Sequence, residues 1–239
     1  MSQYNIKISI IIPCFNEKNT LIEIINKVVL SLNNHKYEQF EIIIVDDGSI
    51  DGTKELIKKN FESKKNFKTF FHVKNMGKGA AIKTAKKFLS GDVIIIQDAD
   101  LEYNPNDYEN LIKPILRNNY KVVYGSRVLN QNRYEASGFT SKLRILGNHL
   151  LTIISNILNN QKLTDAHTCY KVFHKEVFDL IDLEENDFAF CPEVTSKVAK
   201  LGYTIYEVPI SYNGRNYQEG KKIRFIDAFR AFKTLIKYR

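Results

Sequence analysis

Short apolar runs, each followed by a segment of helical spacing, fill the first half of this 239-residue chain. ISIIIPC (8–14), EIIIVDD (41–47), FKTFFHV (67–73), DVIIIQD (92–98) and KVVYGS (121–126) read as strands. In the first, second and fourth, continuous runs of isoleucine and valine mark buried strands. Between them, residues 17–32 place Leu21, Ile24, Ile25, Val28 and Leu32 at helical spacing, and 53–61, 77–89 and 106–116 also read as helices. Alternation of this kind predicts an α/β fold, a doubly wound and mostly parallel sheet flanked by helices.

The second half is less regular. It reads as a long helix (141–158), a strand (168–174), a helix ended by Gly202 (191–202), a strand (203–210) and a closing basic amphipathic helix. No repeat or low-complexity linker divides the chain, so a single domain over 1–239 is expected. Hydrophobic residues at 44% and charged residues at 26% fit a globular protein with a substantial core. No apolar run reaches the ~20 residues needed to span a bilayer, and no signal peptide is expected. Cys14, Cys169 and Cys191 are odd in number and lack paired metal-ligand spacing, which suggests a reducing cytoplasm over a disulfide framework. The net charge of +8 favours anionic partners without choosing among them.

In an open α/β sheet, ligands bind outside the carboxyl ends of the strands. Here those ends carry Pro13-Cys14-Phe15-Asn16-Glu17, then Asp46-Asp47-Gly48-Ser49, then Asp98-Ala99-Asp100, then Gly125-Ser126-Arg127. Each acid has an ordinary alternative: Glu17 and Asp47 as helix N-terminal acids, Asp46 as a turn residue. Together they put several carboxylates on one edge. A divalent cation would relieve the repulsion, and magnesium favours a few carboxylates with phosphate oxygens and water. Gly77 and Gly79 could admit a phosphate at a helix start, but a plain turn is the simpler reading.

PCFNE, VDDGSIDGT, NMGKGAA, QDADLEY and GSR, in that order, resemble the family 2 glycosyltransferases of GT-A fold. The likeness is closest to dolichyl- or polyprenyl-phosphate mannose and glucose synthases. It continues through LTDAHTCYKVFHKEV (163–177) and EVPISYNGRNYQEGKKI (207–223), so it covers nearly the whole chain. The resemblance implies a nucleotide-sugar-binding half (1–128) and an acceptor-binding half (129–239). It implies that Pro13, Phe15, Glu17, Ile44 and Asp46 line the base and ribose pocket of a UDP- or GDP-sugar. Asp98, Ala99 and Asp100 would hold the diphosphate and its Mg2+ or Mn2+, with Glu102, where relatives often have Gln, at a further metal-side position. Arg127, Arg215 and either Lys221 or Lys222 would meet an acceptor phosphate. Relatives of the mannose-synthase type carry an arginine near 141, where this chain has Ser141.

A phosphate acceptor is already an anion and needs no general base, whereas a sugar hydroxyl in a cell-surface polysaccharide or glycan needs one. The resemblance implies Asp165 as the candidate base in the second case, since hydroxyl-using relatives have a base aspartate in this region; a helix cap or salt-bridge partner of an arginine is the alternative. The closing helix places Ile226, Phe229, Phe232 and Ile236 on one face with Lys222, Arg230, Lys233, Lys237 and Arg239 about it. Such a helix either lies on an anionic membrane surface or docks on its own domain. The expected location is cytoplasmic, with peripheral contact at the membrane face. A dehydrogenase or nucleotidyltransferase would want a glycine-rich loop after the first strand, which PCFNE is not. A nucleic-acid partner is not expected, because clustered acids repel phosphate.

Overall fold

The computed structural model describes residues 6–129, 139–214 and 225–239, of which 139–144 and 225–226 are described by their backbone alone. The first half alternates β1 (Lys7–Cys14), α1 (Leu21–Asn34), β2 (Gln39–Asp46), α2 (Thr53–Phe61), β3 (Phe67–Phe71), α3 (Lys78–Lys86), β4 (Val93–Ile96), α4 (Tyr108–Arg117) and β5 (Val122–Ser126). The second half adds α5 (Phe139–Asn159), β6 (Lys171–His174), α6 (Lys175–Leu180), α7 (Phe190–Lys200), β7 (Ile205–Pro209) and α8 (Phe225–Lys237). The seven strands form one sheet in the order β3-β2-β1-β4-β6-β5-β7. Neighbours are parallel except at β6, which runs antiparallel to both β4 and β5.

The isoleucine runs explain the centre of this sheet. Ile8, Ile10, Ile11 and Ile12 of β1, Ile42–Ile44 of β2 and Ile94–Ile96 of β4 have no exposed surface. Helices cover both faces, as parallel strands joined by right-handed crossovers require. In α1 the buried positions are Leu21, Ile24, Ile25, Val28, Ser31 and Leu32, the helical stripe expected from the spacing.

Departures from the expected boundaries have local causes. β3 ends at Phe71, after which His72 N still donates to the Asp46 carbonyl at 2.8 Å and its ring meets Asp47, with Nδ1 2.7 Å from Oδ1. β6 begins only at Lys171, since residues 166–168 curl around the Lys171 ammonium, which donates to the carbonyls of Ala166 and Thr168 at 3.1 and 2.6 Å. α6, which the sequence reading lacks, follows β6 without a loop.

At the sheet edge opposite the carboxyl ends of β1 and β2, Glu41 is buried. It accepts hydrogen bonds from Ser9 Oγ (2.6 Å), Lys68 Nζ (2.8 Å), Ser90 N (2.6 Å) and Ser90 Oγ (2.8 Å). Burial raises its carboxyl pKa, but Lys68, Ser9 and Ser90 outweigh that and bring it from 4.5 down to about 2. The ionised form therefore stabilises the fold above pH ~4.5, and that contribution is lost as pH falls towards 2. Because Lys68 is half exposed, we expect Glu41→Gln to cost about 2 kcal/mol at pH 7. Urea denaturation across pH should show the gap to the wild type closing between pH 4.5 and 2.

Candidate active site at the strand ends

Strand order reverses at β1 and β4, so their connections leave on opposite sides and open a crevice beyond their carboxyl ends. Ile11 is in register with Ile96, and Cys14 with Asp46. Asp46 and the Asp98–Asp100 turn therefore emerge at the same edge, on either side of β1. The loops after β1 and β2 are stapled together. Asn16, at φ +52°, donates its backbone N–H to Ser49 Oγ (2.8 Å), and its Oδ1 accepts from Ile50 N (2.9 Å). Glu17 is buried, with its N–H on Thr53 Oγ1 and one carboxylate oxygen accepting from Thr20 Oγ1 at 2.8 Å.

Pro13 and Phe15 are partly exposed at this edge. Ile44 is wholly buried in β2 between Ile12 and Thr69, and in this conformation it offers no surface to a ligand. Asp46 is buried as deeply, yet only its Oδ2 is engaged, by Ser49 N at 3.2 Å. Its Oδ1 has no hydrogen-bond partner among the described residues, a demand for a donor that nucleotide bases and sugars can meet. Asp47 is a structural acid. It accepts from Met76 N (2.9 Å) and Gly77 N (2.7 Å) besides facing His72, and so fixes the loop that leads into α3.

The Asp98–Asp100 turn is held from beneath by Gln97. The Gln97 Oε1 accepts from the hydroxyls of Tyr108 and Tyr170, each at 2.8 Å, and its amide donates to the carbonyl of Asp98 at 3.0 Å. Ala99 is buried. Leu101 then takes a left-handed conformation at φ +63°, a costly one for a bulky apolar residue and one that concentrates at functional sites. The backbone N–H of Glu102 returns to Asp100 Oδ1 at 3.2 Å.

Lys78, which the sequence reading passed over, meets this turn. Its ammonium lies 2.5 Å from Asp98 Oδ1 and 3.3 Å from Cys169 Sγ. Burial opposes its charge, but Asp98 prevails and the ammonium pKa stands well above its ordinary value. As the first residue of α3, Lys78 sits where the helix dipole disfavours a cation, so the carboxylate is what keeps it there. The Gly77-Lys78-Gly79 run in NMGKGAA was its signal. The two glycines serve packing: a Cβ on either would stand 2.4 Å from a carbonyl oxygen of Glu185 or Asn186.

Beyond β5, Arg127 and Asp165 form a buried, two-pronged ion pair. Nε donates to Oδ2 at 2.7 Å and Nη2 to Oδ1 at 2.8 Å, with Arg127 N adding a contact at 3.2 Å. Burial raises the Asp165 pKa, but Arg127 overcomes it and holds the carboxyl below the usual range. Asp165 stands in the connection between α5 and β6, not at a helix start. That connection is fixed by Glu207, which accepts from Thr164 N (2.6 Å) and Asp165 N (2.9 Å). Of the expected alternatives, the geometry is that of the salt bridge.

Arg215, Lys221 and Lys222 lie outside the described residues, as does the side chain of Ser141. Glu102 accepts from the Tyr212 hydroxyl at 2.8 Å. Among the described residues no group of three or more His, Cys, Asp or Glu gathers at one point. Asp98 and Asp100 remain as two carboxylates at one turn, which suits magnesium, an ion that takes one or two protein carboxylates and completes its shell with phosphate and water.

Removing one charge of the Arg127–Asp165 pair leaves the other buried and uncompensated. Asp165→Asn should destabilise the protein by about 3 kcal/mol in chemical denaturation.

Residues 9–181 match the family described as Glycosyl transferase family 2. The UDP-N-acetylglucosamine–dolichyl-phosphate N-acetylglucosaminyltransferase of Methanococcus voltae is 30% identical over 246 residues, covering 96% of this chain and 94% of that protein. A dolichyl-phosphate beta-glucosyltransferase of Trichomonas vaginalis is 27% identical over 243 residues, covering 98% and 73%. Among solved structures, glucosyl-3-phosphoglycerate synthase from Mycobacterium tuberculosis, in complex with Mn2+ and uridine-diphosphate-glucose, superposes with a TM-score of 0.72 at 16% identity, covering 98% of this chain and 79% of that one. The reversal of strand order at β1 and β4, the acids at that edge and these likenesses agree: the chain belongs to glycosyl transferase family 2 and is a glycosyltransferase of GT-A fold.

Proposed function

We propose that this glycosyltransferase moves a hexose from a UDP- or GDP-sugar to a polyprenyl or dolichyl phosphate, inverting the anomeric carbon, with Mg2+ or Mn2+. The observation that carries this reading is the occupation of both Asp165 carboxylate oxygens by Arg127. A carboxylate so held, with its pKa lowered, is a poor general base. A sugar hydroxyl would need such a base, whereas a phosphate acceptor attacks as an anion. The dolichyl-phosphate relatives support the same acceptor, and the Mn2+–UDP-glucose complex of the structural neighbour supports the donor and metal classes.

In this reading the halves 1–128 and 129–239 serve donor and acceptor. Pro13, Phe15 and Glu17 border the base and ribose, and the unsatisfied Asp46 Oδ1 accepts from them. Asp98, Ala99 and Asp100 face the diphosphate. Asp98 and Asp100 would hold the metal, Glu102 would stand beside it, and the ion would neutralise charge on the leaving nucleoside diphosphate. Lys78 orients Asp98. Asp165 orients Arg127 towards the acceptor phosphate, with Arg215 and Lys221 or Lys222 as further phosphate contacts.

A lipid acceptor would be met at a membrane surface; no described helix is long and apolar enough to cross a bilayer. Two helices support such contact. α8 docks on the protein through Ala231, Thr234, Leu235 and Tyr238, while Phe229, Phe232 and Ile236 face outward. α5, which packs on α8, exposes Leu146, Leu150, Ile153 and Ile157 at helical spacing. Arg230 and Lys237 are partly neutralised by Asp187 and Glu185, which leaves Lys233 of α8 and Arg239 just after it as the basic residues best placed for anionic headgroups.

The decisive assay offers labelled UDP- and GDP-sugars with a short polyprenyl phosphate, with metal or with chelator. A metal-dependent, organic-extractable product is expected. Metal-dependent transfer to a glycan hydroxyl, with none to the lipid, would overturn the acceptor assignment. Asp100→Asn should abolish metal-dependent nucleotide binding in calorimetry while leaving the far-ultraviolet dichroism unchanged. Replacing Phe229 and Ile236 together by serine should reduce co-sedimentation with anionic vesicles about tenfold, given the loss of two apolar anchors.

A further inference from the structure

Residues 211–214 follow β7 and are laid against the segment that follows the Asp98–Asp100 turn. Tyr212 forms an isolated antiparallel bridge with Tyr103, Asn213 N donates to the carbonyl of Glu102 at 2.9 Å, and Ser211 N donates to Asp107 Oδ2 at 2.8 Å. The Tyr212 side chain sits at the centre of this seam and touches both halves of the site. Its hydroxyl donates to Glu102 Oε2 at 2.8 Å, beside Asp100. Its ring lies 5.1 Å from the guanidinium carbon of Arg127, whose nitrogens are held by Asp165, and packs at 5.2 Å against Tyr103. Gly214 leaves room for it, as a Cβ there would stand 2.8 Å from the ring.

We propose that Tyr212 is a positioning residue with two separable roles, its hydroxyl orienting Glu102 on the donor side and its ring setting the Arg127 guanidinium on the acceptor side. The inference rests on the proposed function in both arms: on Glu102 as a metal-side carboxylate for the donor arm and on lipid phosphate for the acceptor arm. A tyrosine suits both tasks, because the phenol hydroxyl is a donor to carboxylate and the ring face attracts a guanidinium. Phenylalanine would do only the second and leucine neither.

The test uses the full chain and two measurements. Binding of UDP is titrated by calorimetry across Mg2+ or Mn2+ concentrations, and steady-state transfer to polyprenyl phosphate gives the acceptor KM. Tyr212→Phe should raise the metal concentration needed for half-maximal UDP binding about tenfold, as loss of an outer partner of a metal-side carboxylate does, and leave the acceptor KM within about twofold. Tyr212→Leu should show the same donor defect and, in addition, about a tenfold rise in acceptor KM. The proposal is overturned if Tyr212→Phe leaves metal-dependent UDP binding unchanged, or if both variants shift both constants in parallel. The isosteric phenylalanine variant decides the donor arm alone should the leucine variant fail to fold. If the wild type transfers nothing to lipid phosphate, the acceptor reading fails while the calorimetric arm still judges the link to Glu102.

Discussion

Everything at the site depends on β1 being held in register between β2 and β4. The register of Cys14 with Asp46, and of Ile11 with Ile96, sends three strands out of the core at the same level. With Ile8, Ile10, Ile11 and Ile12 buried on both faces, the body of the sheet admits little polar chemistry. What charge there is collects at the edges, at Glu41 on one side and at Asp46, Asp98 and Asp100 on the other. The reversal of strand order at β1 and β4 then opens the crevice beside the second group. A one-residue slip of β4 would turn its isoleucines and move the Asp98–Asp100 turn out of level with Asp46.

Two acids of the site are held by internal cations. Lys78 takes an oxygen of Asp98, and Arg127 takes both oxygens of Asp165. Buried pairs of this kind are weak evidence for stability, since desolvation consumes much of the attraction. Their value here is geometric. Gln97, braced by Tyr108 and Tyr170, fixes the backbone of the Asp98–Asp100 turn, and Lys78 fixes one of its side chains. Glu207 fixes the backbone at Asp165, which in turn fixes Arg127. In each half of the site a charged group is aimed by a neighbour that is itself locked by hydrogen bonds, which is the arrangement that preorganised sites need.

The central strands β1, β2 and β4 were legible because β-branched runs ending in acids leave few alternatives. All seven strands appear, with shifts at the ends where a side chain turns back on the backbone, as Lys171 does at the start of β6. Such returns depend on tertiary partners and leave no periodic trace. The same reason hid Lys78: a lysine after a glycine looks like any solvated helix start until a carboxylate 20 residues on is brought against it. Asp165 was visible as chemistry, but its role required the distance to Arg127. Glu193, fully buried on α7, accepts from Glu184 N (2.6 Å) and Glu185 N (3.0 Å) and so serves a neighbouring loop.

α8 shows most plainly what periodicity leaves open. Its sequence offers two apolar arcs, one through Phe229, Phe232 and Ile236 and another through Ala231, Leu235 and Tyr238, and helical spacing alone does not choose between them. The fold docks the smaller arc, because the ends of that face carry groups with partners on the loop that precedes α7. Arg230 reaches Asp187 at 3.0 Å, while Lys237 and Tyr238 reach Glu185 at 2.9 and 3.0 Å. The same loop lies against Gly77 and Gly79, with Ala80 N donating to the Asn186 carbonyl at 2.9 Å. One short connection therefore supports the helix that presents an apolar face to its surroundings and also the start of α3, from which Lys78 reaches Asp98. The glycine run, whose simpler reading in the sequence is a plain turn before a helix, is shaped by the loop behind it, and the charged group it places is the lysine between the glycines.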